Sequence, residues 1–279
     1  PFYRVMILDG FNDSVVRGNL LDKNSGTGII CYRTHRTRIV GNTIRRHTAV
    51  HAQGMAIYAG CSDVLIEGNH GFDGTALTMQ DGQNFTVRNN IFHGGRGIAI
   101  GLWGGAPLRN VRIFNNVLIG SSTAAGWSQD VSLFSNNRDS QSRFIVINNI
   151  VDGVAFEGDP SRHEVRNNLF TRRRFADAFP GNLVETDLGK IFVDPIEHDY
   201  RLRPGSPAID AGIDVGIERD IVGTPIPQGA APDIGAYEYT GGTDRYNVSG
   251  SVSPAVGGVR LWIGDSSVLT DSSGNFVFS

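Results

Sequence analysis

Lysine is almost missing from this chain. Lys23 and Lys190 are the only two in 279 residues, so Arg supplies nearly all of the 25 basic side chains. A planar guanidinium fork suits carboxylates and sulfates better than an ammonium does, although genomic base composition is the simpler source of such a bias. Net charge is only −3, so no broad nucleic-acid surface is expected. Two cysteines are too few for a disulfide framework. No apolar run reaches the ~18 residues of a membrane-spanning helix, and no signal peptide opens the chain. That last absence carries little weight. The chain begins inside an apparent coil, Phe2 to Leu8, and ends inside an apparent strand, Phe276 to Ser279, and so reads as a piece of a longer protein with further domains. Charged residues make up only 19% of the chain and glycines number 36, as suits a turn-rich all-β protein.

What the chain has in abundance is one repeated phrase. Its clearest copies are Phe85-Thr86-Val87-Arg88-Asn89-Asn90-Ile91 and Val111-Arg112-Ile113-Phe114-Asn115-Asn116-Val117. Other copies end at Asn19, Asn42, Asn69, Asn149 and Asn168. Apolar residues five and three places before the key Asn describe a strand with one buried face. Asn tolerates left-handed backbone and bonds neighbouring main chain, so it fits a tight bend between strands. A second strand lies between consecutive copies, as at Met55 to Tyr58, Ala76 to Gln80 and Gly97 to Gly101. Seven coils of this kind would stack ~4.8 Å apart into a parallel solenoid. An antiparallel sandwich is the alternative, but it does not repeat an Asn bend in one register. Cys31 takes an inward strand position and Cys61 a turn four residues past the equivalent place, so the pair reads as small apolar filler, not as a disulfide.

The pattern resembles the right-handed parallel β-helix repeat of pectate lyases, polygalacturonases, alginate lyases and many bacterial surface proteins. The resemblance covers about residues 5–172, and its motif specifies a fold more strongly than a function. After Phe170 the period fails. Ser206-Pro207-Ala208-Ile209-Asp210-Ala211-Gly212 and Asp233-Ile234-Gly235-Ala236-Tyr237-Glu238-Tyr239 resemble the segment that ends the β-helix in many secreted bacterial proteins. A wrap over the open end of the solenoid is their expected role. Beyond a linker, residues 248–252, 259–263 and 276–278 alternate like strands, and this tail resembles the start of a carboxypeptidase-regulatory-like β-sandwich. The expected organisation is therefore an all-β chain: a parallel β-helix over 1–172, a C-terminal cap over 173–240, and a linker with a partial sandwich over 241–279. The resemblance places the protein outside the cell or at its surface.

In lyases and hydrolases of this fold, the site lies on the outer face of the strand before the first turn. Alternation assigns that row as Asp9, Tyr32, Tyr58, Gln80, Gly101, Phe134 and Glu157. A glycoside hydrolase needs two carboxyls ~5–9.5 Å apart, and the acidic rungs of this row lie ~14 Å apart. The row therefore holds no hydrolase pair and no tight acidic cluster for calcium, unless a loop such as that of Asp130 supplies one. Tyr32, Tyr58, Phe134 and Trp103 give an aromatic, weakly charged face: either a platform for sugar rings or rings that cover the sheet. Gln80 and Arg96 complete the expected substrate contacts, Arg96 as a cation for an acidic sugar. For a β-elimination, Arg33 would neutralise the uronate carboxylate, His51 would act as base and Tyr58 as acid; a structural role for a loop His is the plainer reading. His47 and His51 have a metal-like spacing without an evident third ligand. No cofactor is required. Calcium is the one candidate, at Asp210, Asp214, Asp220 and Asp233, where turn capping is the alternative. The partner implied is an acidic polysaccharide; a non-catalytic adhesive or fibre-forming role is the competing function.

Overall fold

The computed structural model describes residues 5–23, 26–46, 53–94, 98–104, 106–120, 131–241, 248–263 and 266–278. Contacts divide the chain into two units, Pro1–Tyr239 and Thr240–Ser279. The first is a right-handed parallel β-helix. Its first sheet runs through Met6–Asp9, Ile29–Tyr32, Gln53–Tyr58, His70–Met79, Ile100–Leu102, Leu133–Ser135 and Val154–Phe156, each pairing in parallel with the next. The second sheet runs from Val15–Arg17 to Glu164–Arg166, and the third from Leu20–Asp22 to Leu183–Val184. The period-2 pattern explains why these strands coil: in the first sheet Leu8, Cys31, Ile57, Met79 and Leu102 point inward and belong to one continuous core. Each fully buried Ile, Leu or Phe contributes about 1.5–3 kcal/mol relative to exposure. Both cysteines are free and buried, Cys61 opening a strand of the second sheet instead of lying in a turn.

The key asparagines form one buried stack. The Oδ1 of Asn42, Asn69, Asn90, Asn116, Asn149 and Asn168 each accepts the backbone N–H of the preceding Asn at 2.9–3.0 Å. Each Nδ2 in turn donates to main-chain carbonyls, as Asn90 does to Ile66 and Arg88. Two expectations are corrected here. The left-handed residue is not the key Asn but the one before it: Gly18, Gly41, Gly68, Asn89, Asn115, Asn148 and Asn167. The bend needs positive φ one place earlier, which frees the following side chain to turn into the core. The period also outlasts Phe170, because Asn182 adds an eighth member to the stack, accepting from Asn168 N at 2.8 Å. A short helix, Arg173–Ala176, intervenes and hides the repeat in the sequence.

Residues 188–239 cover the outer face of the third sheet. Ile91, Val117, Ile119, Ile150 and Leu169 pack there against Ile191, Phe192, Tyr200, Leu202, Ala208, Ile234 and Ala236. The left-handed asparagines anchor this segment: the Nδ2 of Asn89, Asn115 and Asn148 donates to the carbonyls of Arg219, Asp233 and Ile213. Inside the segment Asp220, Asp233 and Glu238 are buried and accept backbone amides, among them those of Val222, Thr224, Asp210, Tyr239 and Gln228. Asp210 and Asp214 accept the amides of Ala231 and Gly216 in the same way. These carboxylates cap turns, and among the described residues no group of three His, Cys, Asp or Glu is arranged to hold a metal ion.

In the second unit Val248–Ser251 pairs antiparallel with Asn275–Phe278, and Arg260–Ile263 with Ser266–Leu269. The strand Ser266–Leu269 was not expected from the alternation. Among the described residues no helix is long and apolar enough to cross a membrane.

Candidate functional site

The outer face of the first sheet begins with a ladder in strict register: Asp9 opposite Tyr32, and Tyr32 opposite Tyr58. The two tyrosine rings touch, with centroids 5.8 Å apart and planes tilted by 41°. Tyr58 does not stand away from the sheet. Its hydroxyl donates to Gln53 Oε1 at 2.7 Å, five residues back along its own strand. The ring therefore lies along the strand, and Ala56, the outward residue between them, is fully buried.

Farther along, the expected row is wrong by one step of the pleat. Gly101 pairs with Thr78, not with Gln80, and Phe134 pairs with Gly101. Leu102 pairs with Met79 and Ser135, which places Trp103 beside Gln80 and Asn136 beside Trp103. The row is thus Asp9, Tyr32, Tyr58, Gln80, Trp103, Asn136 and Glu157, with Ile30, Ala56, Thr78, Gly101, Phe134 and Ala155 behind it. A slip of two residues keeps every apolar side chain on its own face, so alternation cannot detect it. Phe134 still meets the row, because its ring lies 5.2 Å from that of Trp103. The indole lies back over Gly101: a Cβ there would come within 2.2 Å of Trp103 Nε1. Only glycine at this position lets the ring come this close to the strand.

Charges close the row at both ends. Arg33 binds both carboxylate oxygens of Asp9 through Nη2, 2.6 Å from Oδ2. Arg138 holds Glu157 Oε2 through Nε at 3.0 Å and Nη2 at 2.7 Å. Arg33 thus pairs with Asp9, one coil toward the chain start, while the Tyr58 hydroxyl points back along its strand. The structure does not bring these two expected elimination residues together at one point. His51, the expected base, and Arg96 lie outside the described residues, as do His47, Trp127 and Asp130. Gln53 and Asn136 were not anticipated on this face, whereas Thr78 takes its expected place in the row behind. A corrected register would have found Asn136.

A second candidate is a shallow groove of about 390 Å³ between the second sheet and the covering segment, lined by Glu67, Arg88 and residues 216–219. Three of its charges are already engaged: Arg88 pairs with Glu67 at 2.8 Å, and Arg219 Nη1 donates to Gly223 O. It offers no aromatic surface and no free acid–base pair.

The family described as the right handed beta helix region matches residues 4–139. No curated protein matches the chain in sequence. Among solved structures, the crystal structure of pectate lyase Pel9A is similar, with a TM-score of 0.53 at 15% sequence identity over 84% of this chain and 69% of that one. What the chain shares with that enzyme is the right-handed parallel β-helix itself.

Proposed function

We propose that the protein binds an acidic polysaccharide along the outer face of the first sheet, outside the cell or at its surface. The observation that carries this reading is the Tyr32–Tyr58 ring pair in contact on adjacent rungs, continued by Gln80, Trp103 and Asn136. Aromatic faces stack on the C–H faces of sugar rings, and the neutral amides offer both donors and acceptors to sugar hydroxyls. Arg33 and Arg138, 62% and 74% exposed in their side chains, flank the row. Arg33 uses Nη2 alone for Asp9, so the rest of its fork faces solvent, where it can meet uronate carboxylates. The name of the structurally similar pectate lyase points the same way. So do the two terminal phrases, and the tail that resembles a carboxypeptidase-regulatory-like domain suits a surface protein of longer chain.

A second reading, non-catalytic surface attachment, is favoured by one observation: both carboxylates of the row are tied in ion pairs. Incubation with polygalacturonate and alginate, followed through the ultraviolet absorbance of an unsaturated uronate, separates the two. Elimination predicts growing absorbance that His51→Ala cuts by ~10²-fold while binding persists, as for loss of a general base. Binding without absorbance change leaves the attachment role. Binding to no glycan overturns the polysaccharide reading altogether.

A further inference from the structure

The row behind the aromatic ladder contains a hydroxyl in an unusual position. Thr78 points outward, since its neighbours Leu77 and Met79 belong to the core, yet it is only 1% exposed. Its Oγ1 is buried and has no hydrogen-bond partner among the described residues. Leaving such a group unpaired is costly, and each instance in a native protein calls for a reason. The residues paired with it on either side are Ala56 and Gly101, both small. Front-row rings recline along both strands: the Tyr58 hydroxyl reaches back past Ala56 to Gln53, and Trp103 is laid on Gly101. A threonine between two small residues under two reclining aromatics is a poor way to fill a sheet face. An apolar residue would pack there without an orphaned hydroxyl.

We infer that Thr78 is the floor of a sugar subsite whose walls are the Tyr58 and Trp103 rings, which lift from Ala56 and Gly101 to grip a pyranose and expose the hydroxyl to it. The inference rests on the polysaccharide reading above and deepens it. The ring faces clasp the apolar faces of the sugar, and Thr78 Oγ1 exchanges a hydrogen bond with a ring hydroxyl. Among the described residues nothing at this subsite selects for charge, because Arg33 and Arg138 stand at the ends of the row. It therefore recognises the hydroxyl pattern of the sugar, while acidity is read elsewhere.

The test compares Thr78→Val and Thr78→Ser with the parent chain, using galacturonate and mannuronate hexamers as probes. Thr78→Val should melt a few degrees higher, because the orphaned hydroxyl is gone, yet bind roughly five- to tenfold more weakly. Thr78→Ser should bind within about twofold of the parent. Tryptophan emission should change on adding the hexamer, and Trp103→Phe should abolish that change. A lower melting temperature for Thr78→Val would show that the hydroxyl already has a partner and would overturn the inference. Unchanged affinity in Thr78→Val, alongside weakened binding in Tyr32→Ala/Tyr58→Ala, would overturn it too while leaving the polysaccharide reading intact. Emission unmoved by bound hexamer would overturn the lifting of the rings. Failure of the parent chain to bind either hexamer would remove both readings.

Discussion

The buried asparagine stack and the outer face of the first sheet are built on the same coils but follow different rules. In the stack one residue type recurs on every rung, because each side chain must satisfy the same main-chain groups of the next coil. In the front row of the face no residue type recurs except the Tyr32–Tyr58 pair. Asp9, Gln80, Trp103, Asn136 and Glu157 follow no pattern that packing demands. Repetition marks what the fold needs from every coil; departure from it marks positions that the fold leaves open. An exposed ladder along one turn makes an intermediate case. Asp13, Arg36, Asp63, Asn84 and Asn110 all take positive φ and partly bond one another, as Asn84 does with Asp63 and Asn110 with Asn84 at 2.9 Å. There water competes for the same bonds, and the residue type drifts from coil to coil.

The largest expected effect is on the buried stack. Asn90→Leu removes the acceptor of Asn69 N and Nδ2 and the donor to Ile66 and Arg88. It should cost about 3–5 kcal/mol of unfolding free energy in denaturant titration, since several buried groups lose partners at once. A loss under ~1 kcal/mol would erase the contrast between stack and face.

Next comes the segment that covers the third sheet. Burial pushes the Glu238 carboxyl up to about 7, outweighing the amides of Gln228 and Asp233 that it accepts; burial raises neighbouring Asp233 as well. A raised folded value means that the stabilisation is whole below the ordinary carboxylate range and is lost as pH rises through about 7. Thermal melts should therefore fall between pH 5 and pH 8, and Glu238→Gln should flatten that slope. Superimposable profiles for the two proteins would place the pH dependence elsewhere. The smallest effect belongs to the exposed ladder. Asn84→Gly keeps the positive φ and deletes only solvent-exposed bonds, so it should stay within about 0.5 kcal/mol of the parent. A cost matching that of Asn90→Leu would mean that the two ladders are energetically alike.

How much of this was legible follows from the same contrast. The coils and the stack were readable because periodicity and one residue type at a constant place encode them. The covering segment left a sign that alternation does not capture. Gly occupies the left-handed position at 18, 41 and 68, while Asn takes it at 89, 115 and 148, where the covering segment accepts its side-chain bonds. Three of the four doubled asparagines thus mark a docking line. The face was legible only up to Gln80. Beyond it, the partner of Leu77 is Ile100 and not Ile98, a slip of two residues, and a period of two cannot see an even slip. Asn182 was hidden because a helix interrupts its repeat. The reclining of Tyr58 and Trp103, and the orphaned Thr78 hydroxyl beneath them, depend on rotamers and have no sequence signature.

The claim that this face binds glycan is tested most directly by calorimetric titration of galacturonate and mannuronate hexamers into the parent chain and the Tyr32→Ala/Tyr58→Ala variant. The variant should bind roughly tenfold or more weakly, since each stacked ring contributes ~1 kcal/mol beyond its buried area. Its melting temperature should hold within a few degrees, because both rings lie outside the core. Equal affinity in the two proteins would contradict the account.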